Sequence, residues 1–410
     1  MDLETIIANG LCAGCGLCES IAGQARVEMR LTEIGQLRPK VKLALDQVTA
    51  DLISEICPGI HVKGPDSPPR GFLHPLWGPL VTLHLGWASN PEIRHKAAAG
   101  GALTALACHL LTSGAVDAIL HVRASATQPL LTDAWVSTTI EEVISAAQSR
   151  YGPGAPLTKV HSLLDAGIRF AVIGKPCDIA AIRNLQRCDD RADRLIPFLL
   201  TIFCGGVPSL GTARRIVAYH GIVEEEVSLF RWRGNGWPGP TRIETRDGRA
   251  FELSYDKVWY SKDVPWTYDI QFRCKICPDA IGELADISCP DGWIMKNGKP
   301  IHEEAPGVNV IIARTQKGAE LVQSATEAGV LTLEPFTADE LDRMHADHIP
   351  RKIENPGRLR ALGEESTPRP NFANFRDEAM IARAGPERDC EAERKARRRL
   401  RAGANREPLP

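Results

Sequence analysis

Two cysteines stand two residues apart in the stretch Phe272 to Trp293, with Arg273 and Lys275 beside them and the acids Asp279, Glu283, Asp286 and Asp291 after them. A C-x-x-C pair lets two thiolates converge on one centre, as half of a metal site, a redox dithiol or half of a cluster site. A fuller pattern stands near the start of the chain, where Cys12, Cys15 and Cys18 are spaced by three with Gly14 and Gly16 between them, and Cys57-Pro58 follows. That spacing fits a loop wrapped around a 4Fe–4S cubane, with the Cys-Pro thiolate as fourth ligand. A structural zinc held by four cysteines is the other reading. Cys177 and Cys204 each follow a predicted buried strand and precede a helix, in GKPCDIAAIRNLQ and FCGGVPSLGT. Both therefore belong at the carboxyl edge of one sheet, where open α/β sheets keep their ligands. They are the candidates to complete the site begun by Cys274 and Cys277, unless one is only a buried thiol.

Other residues suit anion binding. Gly100 and Gly101 open the helix in RHKAAAGGALTALACHLLTSG, where free N–H groups and the helix dipole favour a dinucleotide phosphate, with His95 or Lys96 nearby. Tight packing against a sheet would need the same glycines. Arg150 could hold a phosphate bidentately and Tyr151 could cover a ring, although an Arg in such a turn-rich loop is solvated by default. Trp232, Trp237, Arg231 and Arg233 give either a charged aromatic rim or a loop that covers the core.

The elements that position these residues follow an α/β rhythm. Strands are predicted at Val81 to Trp87, Val116 to Val122, Asp133 to Thr138, Arg169 to Gly174 and Pro197 to Phe203, with amphipathic helices between them, and the pattern returns from Val308 to Phe336. The expected fold is mixed α/β, with a ferredoxin-like iron–sulfur segment over residues 1–63 and a Pro/Gly linker over 64–79. The core spans 80–350, and an extension over 351–410 ends in a basic block expected to be solvated or disordered.

Composition narrows the function. A net charge of −2 over 410 residues argues against whole-protein nucleic-acid binding. The opening residues lack an apolar signal region and no apolar run reaches membrane-spanning length, so a cytoplasmic protein is expected. In that compartment twelve cysteines suggest metal or redox ligands rather than a disulfide framework.

Taken together, KAAAGGALTAL, SRYGPGAPL, GKPCDIAAIRNL, FCGGVPSLGT, RWRGNGWPG and FRCKICPDAIGELADIS resemble the beta-subunit family of coenzyme F420 hydrogenases and dehydrogenases, over about Cys12 to Phe336. Within it, the N-terminal loop, RGNGWPG and the length look most like the ferredoxin-dependent divinyl (proto)chlorophyllide 8-vinyl reductases and 7-hydroxymethyl chlorophyll a reductases. The resemblance implies a mixed-sheet flavin-binding core carrying FAD and two 4Fe–4S clusters, one on Cys12, Cys15, Cys18 and Cys57, the other on Cys177, Cys204, Cys274 and Cys277. It also implies FAD contacts at Gly100, Gly101, Arg150, Tyr151 and Lys175. On this reading electrons pass from reduced ferredoxin through both clusters to FAD and on to a tetrapyrrole, with a proton from His95, Lys96, Asp178 or Glu283. The alternatives are a deazaflavin F420 oxidoreductase subunit, served by a partner hydrogenase or dehydrogenase, and a zinc-binding interaction protein without redox chemistry. A homo-oligomer is possible in any of these readings. Two departures stand out. Ala99 replaces a serine usual in the family's K-x-S-x-G-G run, and Cys289-Pro290-Asp291-Gly292 replaces a Gly-Asp pair, so Cys289 either exchanges with a neighbouring ligand or fills space.

Overall fold

A computed structural model describes residues 1–68, 70–262, 269–365 and 367–410. Its centre is an eight-stranded sheet formed, in chain order, by β1 (Thr82–Ala88), β2 (Ala118–Ala124), β3 (Thr132–Ser137), β4 (Phe170–Gly174), β5 (Leu199–Thr201), β6 (Ile287–Ser288), β7 (Asn309–Ala313) and β8 (Leu331–Pro335). The spatial order is β8-β1-β7-β6-β5-β4-β2-β3. Strands β2, β4, β5 and β6 run parallel, and antiparallel strands extend the sheet on both sides. The mixed α/β class expected from the sequence is the one found.

The central strands are largely apolar because both faces are covered. Leu120, Val172 and Leu199 face one layer, which includes Ile179, Ile182 and Leu185 of the helix Pro176–Cys188. Ile119, Ala171, Leu200 and Ile287 face the other, against the helices Ala102–Thr112 and Gln316–Glu327. Alternation along each strand sends neighbouring residues to opposite layers.

Two expectations fail here. Residues 64–79 are more than a linker: Phe72–His74 and Gly78–Leu80 pair as a hairpin, and Leu76 and Trp77 are fully buried. Trp77 stacks on Phe203 with ring centroids 5.9 Å apart. The basic block is a helix, Pro386–Arg401, packed on the helix Asn355–Glu364. Its apolar face is narrow, Ala392, Ala396 and Leu400, and its arginines are matched by acids. Arg360 pairs with Asp389 and Glu393, and Arg397 with Glu364, Glu365 and Glu393. Cys390 on this helix is exposed.

Glu283 anchors a buried ion network behind the sheet. Its fully buried carboxylate accepts from Lys352 and Arg376, and Lys352 also donates to the Pro278 carbonyl at 3.0 Å. A Cβ at Gly78 would collide with the Glu283 carboxylate, so only glycine fits beside it. Removing the acid would leave two cations unpaired. Glu283→Ala should therefore destabilise the fold by about 3–5 kcal/mol, measurable as a shift in the urea midpoint.

His121 on β2 is buried and its Nε2 lies 2.8 Å from Ser137 Oγ. Burial pushes its pKa down to about 4. In the unfolded chain the ring takes a proton below about 6.5, so its stabilising contribution is complete above that pH and is lost as pH falls toward about 4. His121→Gln should flatten the decline of stability across that window, read from denaturation midpoints at successive pH values.

Candidate functional site

The first cysteine set is built by a loop between two short helices. Gly14 and Gly16 adopt positive φ (72° and 85°), which turns the loop around its own sulfurs. The Gly14 N–H lies 3.4 Å from Cys12 Sγ. Cys57, at the end of the helix Gln47–Ile56, joins the three, and the four lie close enough to raise one another's pKa.

The second set forms at the carboxyl edge of the parallel strands. Thr201 pairs with Gly174, so β4 and β5 deliver Cys177 and Cys204 side by side. Both interact electrostatically with Cys274, and Cys277 adjoins Cys204. The Val207 N–H points at Cys274 Sγ at 3.4 Å. The structure thus brings together all eight predicted ligands, four and four.

Burial dominates their electrostatics. It pushes Cys57 up to about 12, with Cys12 adding to the rise, and Cys204 up to about 12, with Cys274 adding. Burial and Asp178 also raise Cys177, although it stands in the first turn of a helix. Such crowded thiolates are stable only against a strongly cationic centre. Inward-pointing N–H groups and convergent sulfurs fit iron–sulfur clusters.

Three buried polar side chains join the two sets. Gln271 donates to the Ala13 carbonyl at 3.4 Å and toward Cys274 Sγ at 3.5 Å. Arg38 donates to Gln271 Oε1 at 3.0 Å and to both oxygens of Glu407, and its charge acts on Cys12 and Cys274. Arg273 donates to the Pro58 carbonyl at 2.9 Å and acts on Cys12, Cys57 and Cys277.

Beyond Cys177 a cavity of about 270 Å³ opens between the sheet edge and the helix Ala102–Thr112. Gly101, Arg150, Tyr151, Lys175 and Asp178 line it. Gly101 has φ +76° at the helix start. Gly100 plays a packing part instead: a Cβ there would come within 3.0 Å of the backbone of Gly86, Val308 and Asn309. Arg150 is pushed down to about 10 by burial, with Arg231 adding, and its Nε is buried without a hydrogen-bond partner. That orphaned donor suits an anionic ligand. Lys175 Nζ donates to Asp178 Oδ2 at 2.8 Å, while Asp178 Oδ1 is buried and unpartnered.

The remaining proton-donor candidates separate. His95 is exposed, and neither it nor Lys96 lines the cavity. Glu283 lies in the ion network behind the sheet, which takes it out of this chemistry. Of the four, Asp178 alone reaches the cavity wall. The aromatic stretch 231–237 covers the core: Trp232 and Trp237 are buried, and Arg233 holds Asp291 bidentately at 3.0 and 3.1 Å and the Ala98 carbonyl at 2.6 Å.

Sequence reasoning missed Asn309 and His121. Asn309 accepts from the Ala102 N–H at 3.2 Å and donates to the Pro290 carbonyl at 3.0 Å, fixing the helix start to the end of β6. Neither residue carries a local motif that would have marked it.

A mixed α/β sheet carries two sets of four thiols and a cavity at its carboxyl edge, and the proteins this chain is similar to make it an oxidoreductase. Two family models, "Coenzyme F420 hydrogenase/dehydrogenase, beta subunit N-term" and the same subunit's "C terminus", match residues 83–161 and 167–339. The chain belongs to this family. A coenzyme F420 hydrogenase subunit beta from Methanococcus voltae is 29% identical over 263 residues, 60% of this chain and 80% of that one. A coenzyme F420-dependent sulfite reductase from Methanocaldococcus jannaschii is 23% identical over 338 residues, 78% of this chain but 46% of that enzyme. In fold, the chain is similar to one in the xenon-derivatised F420-reducing NiFe hydrogenase complex from Methanosarcina barkeri, with TM-score 0.55, 20% identity and coverage of 74% and 98%. Among the described residues no helix is long and apolar enough to cross a membrane.

Cys289 is buried in an apolar layer with Leu106, Ile119 and Ile311, and burial is the sole cause that raises its pKa. Cys204→Ser should lower iron from about eight to about four atoms per chain, while Cys289→Ser leaves it unchanged. Iron and sulfide assays on anaerobically purified protein read both outcomes.

Proposed function

We propose that the chain is an electron-transfer oxidoreductase that carries two 4Fe–4S clusters and FAD and exchanges electron pairs with a deazaflavin of the coenzyme F420 class. The observation that carries this reading is spatial continuity. One thiol set adjoins the next through Gln271, Arg38 and Arg273, and Cys177 of the second set is flanked in the chain by Lys175 and Asp178, which line the cavity. Clusters supply single electrons and a flavin joins them into a two-electron step.

The chain's own residues would hold and shield these groups. Arg150 and the N-terminus of the helix Ala102–Thr112 would bind the flavin's phosphates, while Tyr151 and Lys175, which also line the cavity, would bound it. Asp178, whose unpartnered Oδ1 is buried at the cavity wall, would be the group placed to exchange a proton there. The partner supplying electrons would be a reduced ferredoxin or a hydrogenase or dehydrogenase subunit.

The relatives' names support the deazaflavin over the tetrapyrrole, which rests only on the N-terminal loop, the RGNGWPG stretch and the length. The zinc reading also loses ground. A tetrathiolate with bonds of about 2.3 Å brings its sulfurs to about 3.8 Å of one another, whereas among the described residues no three thiols lie within 4.8 Å.

Holoprotein with iron, sulfide and flavin should bleach F420 absorbance anaerobically when a reductant loads its clusters, and leave divinyl chlorophyllide unchanged. A changed chlorophyllide spectrum with unbleached F420 would reverse the substrate assignment, and a colourless zinc protein would remove the redox reading altogether.

A further inference from the structure

The sequence His345-Ala346-Asp347-His348 forms the corner between the helices Ala338–Met344 and His348–Ile353. A ring nitrogen from each histidine and a carboxylate oxygen of Asp347 lie within 4.8 Å of one another, and no other group of three such side chains among the described residues does so.

The two rings differ in what they have left to offer. His345 is 3% exposed and its Nε2 lies 2.9 Å from the Asp291 carbonyl. A carbonyl only accepts, so that nitrogen carries the proton and Nδ1 keeps its lone pair. His348 is 7% exposed, and its Nε2 has no hydrogen-bond partner. Its Nδ1 lies 3.2 Å from the Asp347 carboxylate. Buried ring nitrogens are ordinarily satisfied, so Nε2 keeps an unused ligand position. Phe203 closes the apolar side, with centroids 5.0 and 5.2 Å from the two rings, and Asp347 opens to solvent on the other.

We infer that this corner binds a divalent cation of the zinc class, through His345 Nδ1, an Asp347 oxygen and a ring nitrogen of His348, with solvent in the fourth position. Two imidazoles and one carboxylate suit zinc rather than calcium or magnesium, which take oxygen donors. The His345–Asp291 hydrogen bond is the outer contact that orients a metal-bound imidazole. The ion would be structural. One turn beyond His348, Arg351 donates to the Gly205 carbonyl at 2.7 Å and the Cys274 carbonyl at 3.4 Å, so fixing this helix steadies the backbone around the second thiol set.

The inference stands apart from the choice of substrate and is tested with Zn²⁺ alone on the anaerobic holoprotein, after brief chelation that leaves the cluster absorbance unchanged. One equivalent should bind. The zinc-edge X-ray absorption should show only nitrogen and oxygen neighbours at about 2.0–2.1 Å, without sulfur at about 2.3 Å. His348→Ala and Asp347→Ala should each weaken binding at least about tenfold with iron and sulfide content unchanged, and the exposed Asp347 gives a reading if the buried variant misfolds. Absence of stoichiometric uptake, sulfur in the shell, or binding indifferent to Asp347→Ala would overturn it.

Discussion

Eight thiols held together out of water govern the rest of this structure. Burial and mutual repulsion raise the pKa values of seven of them, most plainly Cys18 beside Cys15 and Cys204 beside Cys274. Cations offset that repulsion, and here they are Arg38, Arg273 and Arg351. Each cation brought into the interior then needs partners of its own. Arg38, wholly buried, finds them in Gln271 and in Glu407, close to the end of the chain. The C-terminal extension thus completes the electrostatics of the first loop, and Arg406 beside Glu407 adds a hydrogen bond of 3.0 Å to Asn9.

The same logic explains why the cavity is next to the second set and not the first. Parallel strands end together, so β4, β5 and β6 bring Lys175, Phe203 and Cys289 to one edge. The first set lies on a loop whose surroundings, Leu3, Ile6, Ile53 and Ile56, leave space for little beyond the sulfurs. The cavity wall is in turn set by long-range polar ties. Arg233 holds Asp291 and Ala98, and Asn309 holds Ala102 and Pro290, so sheet edge, helix start and covering loop are tied to one another.

How much of this could be seen in the sequence follows from the range of each interaction. Cys12, Cys15 and Cys18 announce themselves because their geometry is local, and Cys177 and Cys204 because two strand–turn–helix units repeat one pattern. Arg233 looked like rim because its partner is 58 residues away. Glu283 looked chemical because it stands in an acidic run, while its cations, Lys352 and Arg376, are 69 and 93 residues distant. The basic block looked solvated for the same reason. Helical spacing of Ala392, Ala396 and Leu400 is a faint signal, and the acids that neutralise its arginines include Glu364 and Glu365 on another helix.

The stretch where this chain leaves its family's pattern gains meaning from these ties. Cys289 follows β6 at the sheet edge, buried in the apolar layer of Leu106 and Ile119 and lining the cavity. Pro290 has no N–H to satisfy, and its carbonyl accepts from the Val310 N–H and from Asn309, both at 3.0 Å. Two residues in sequence therefore fasten β6 to β7 and leave Asp291 free to meet Arg233. The departure from the family's pattern therefore falls on the cavity wall itself, which Cys289, Pro290 and Asp291 all line.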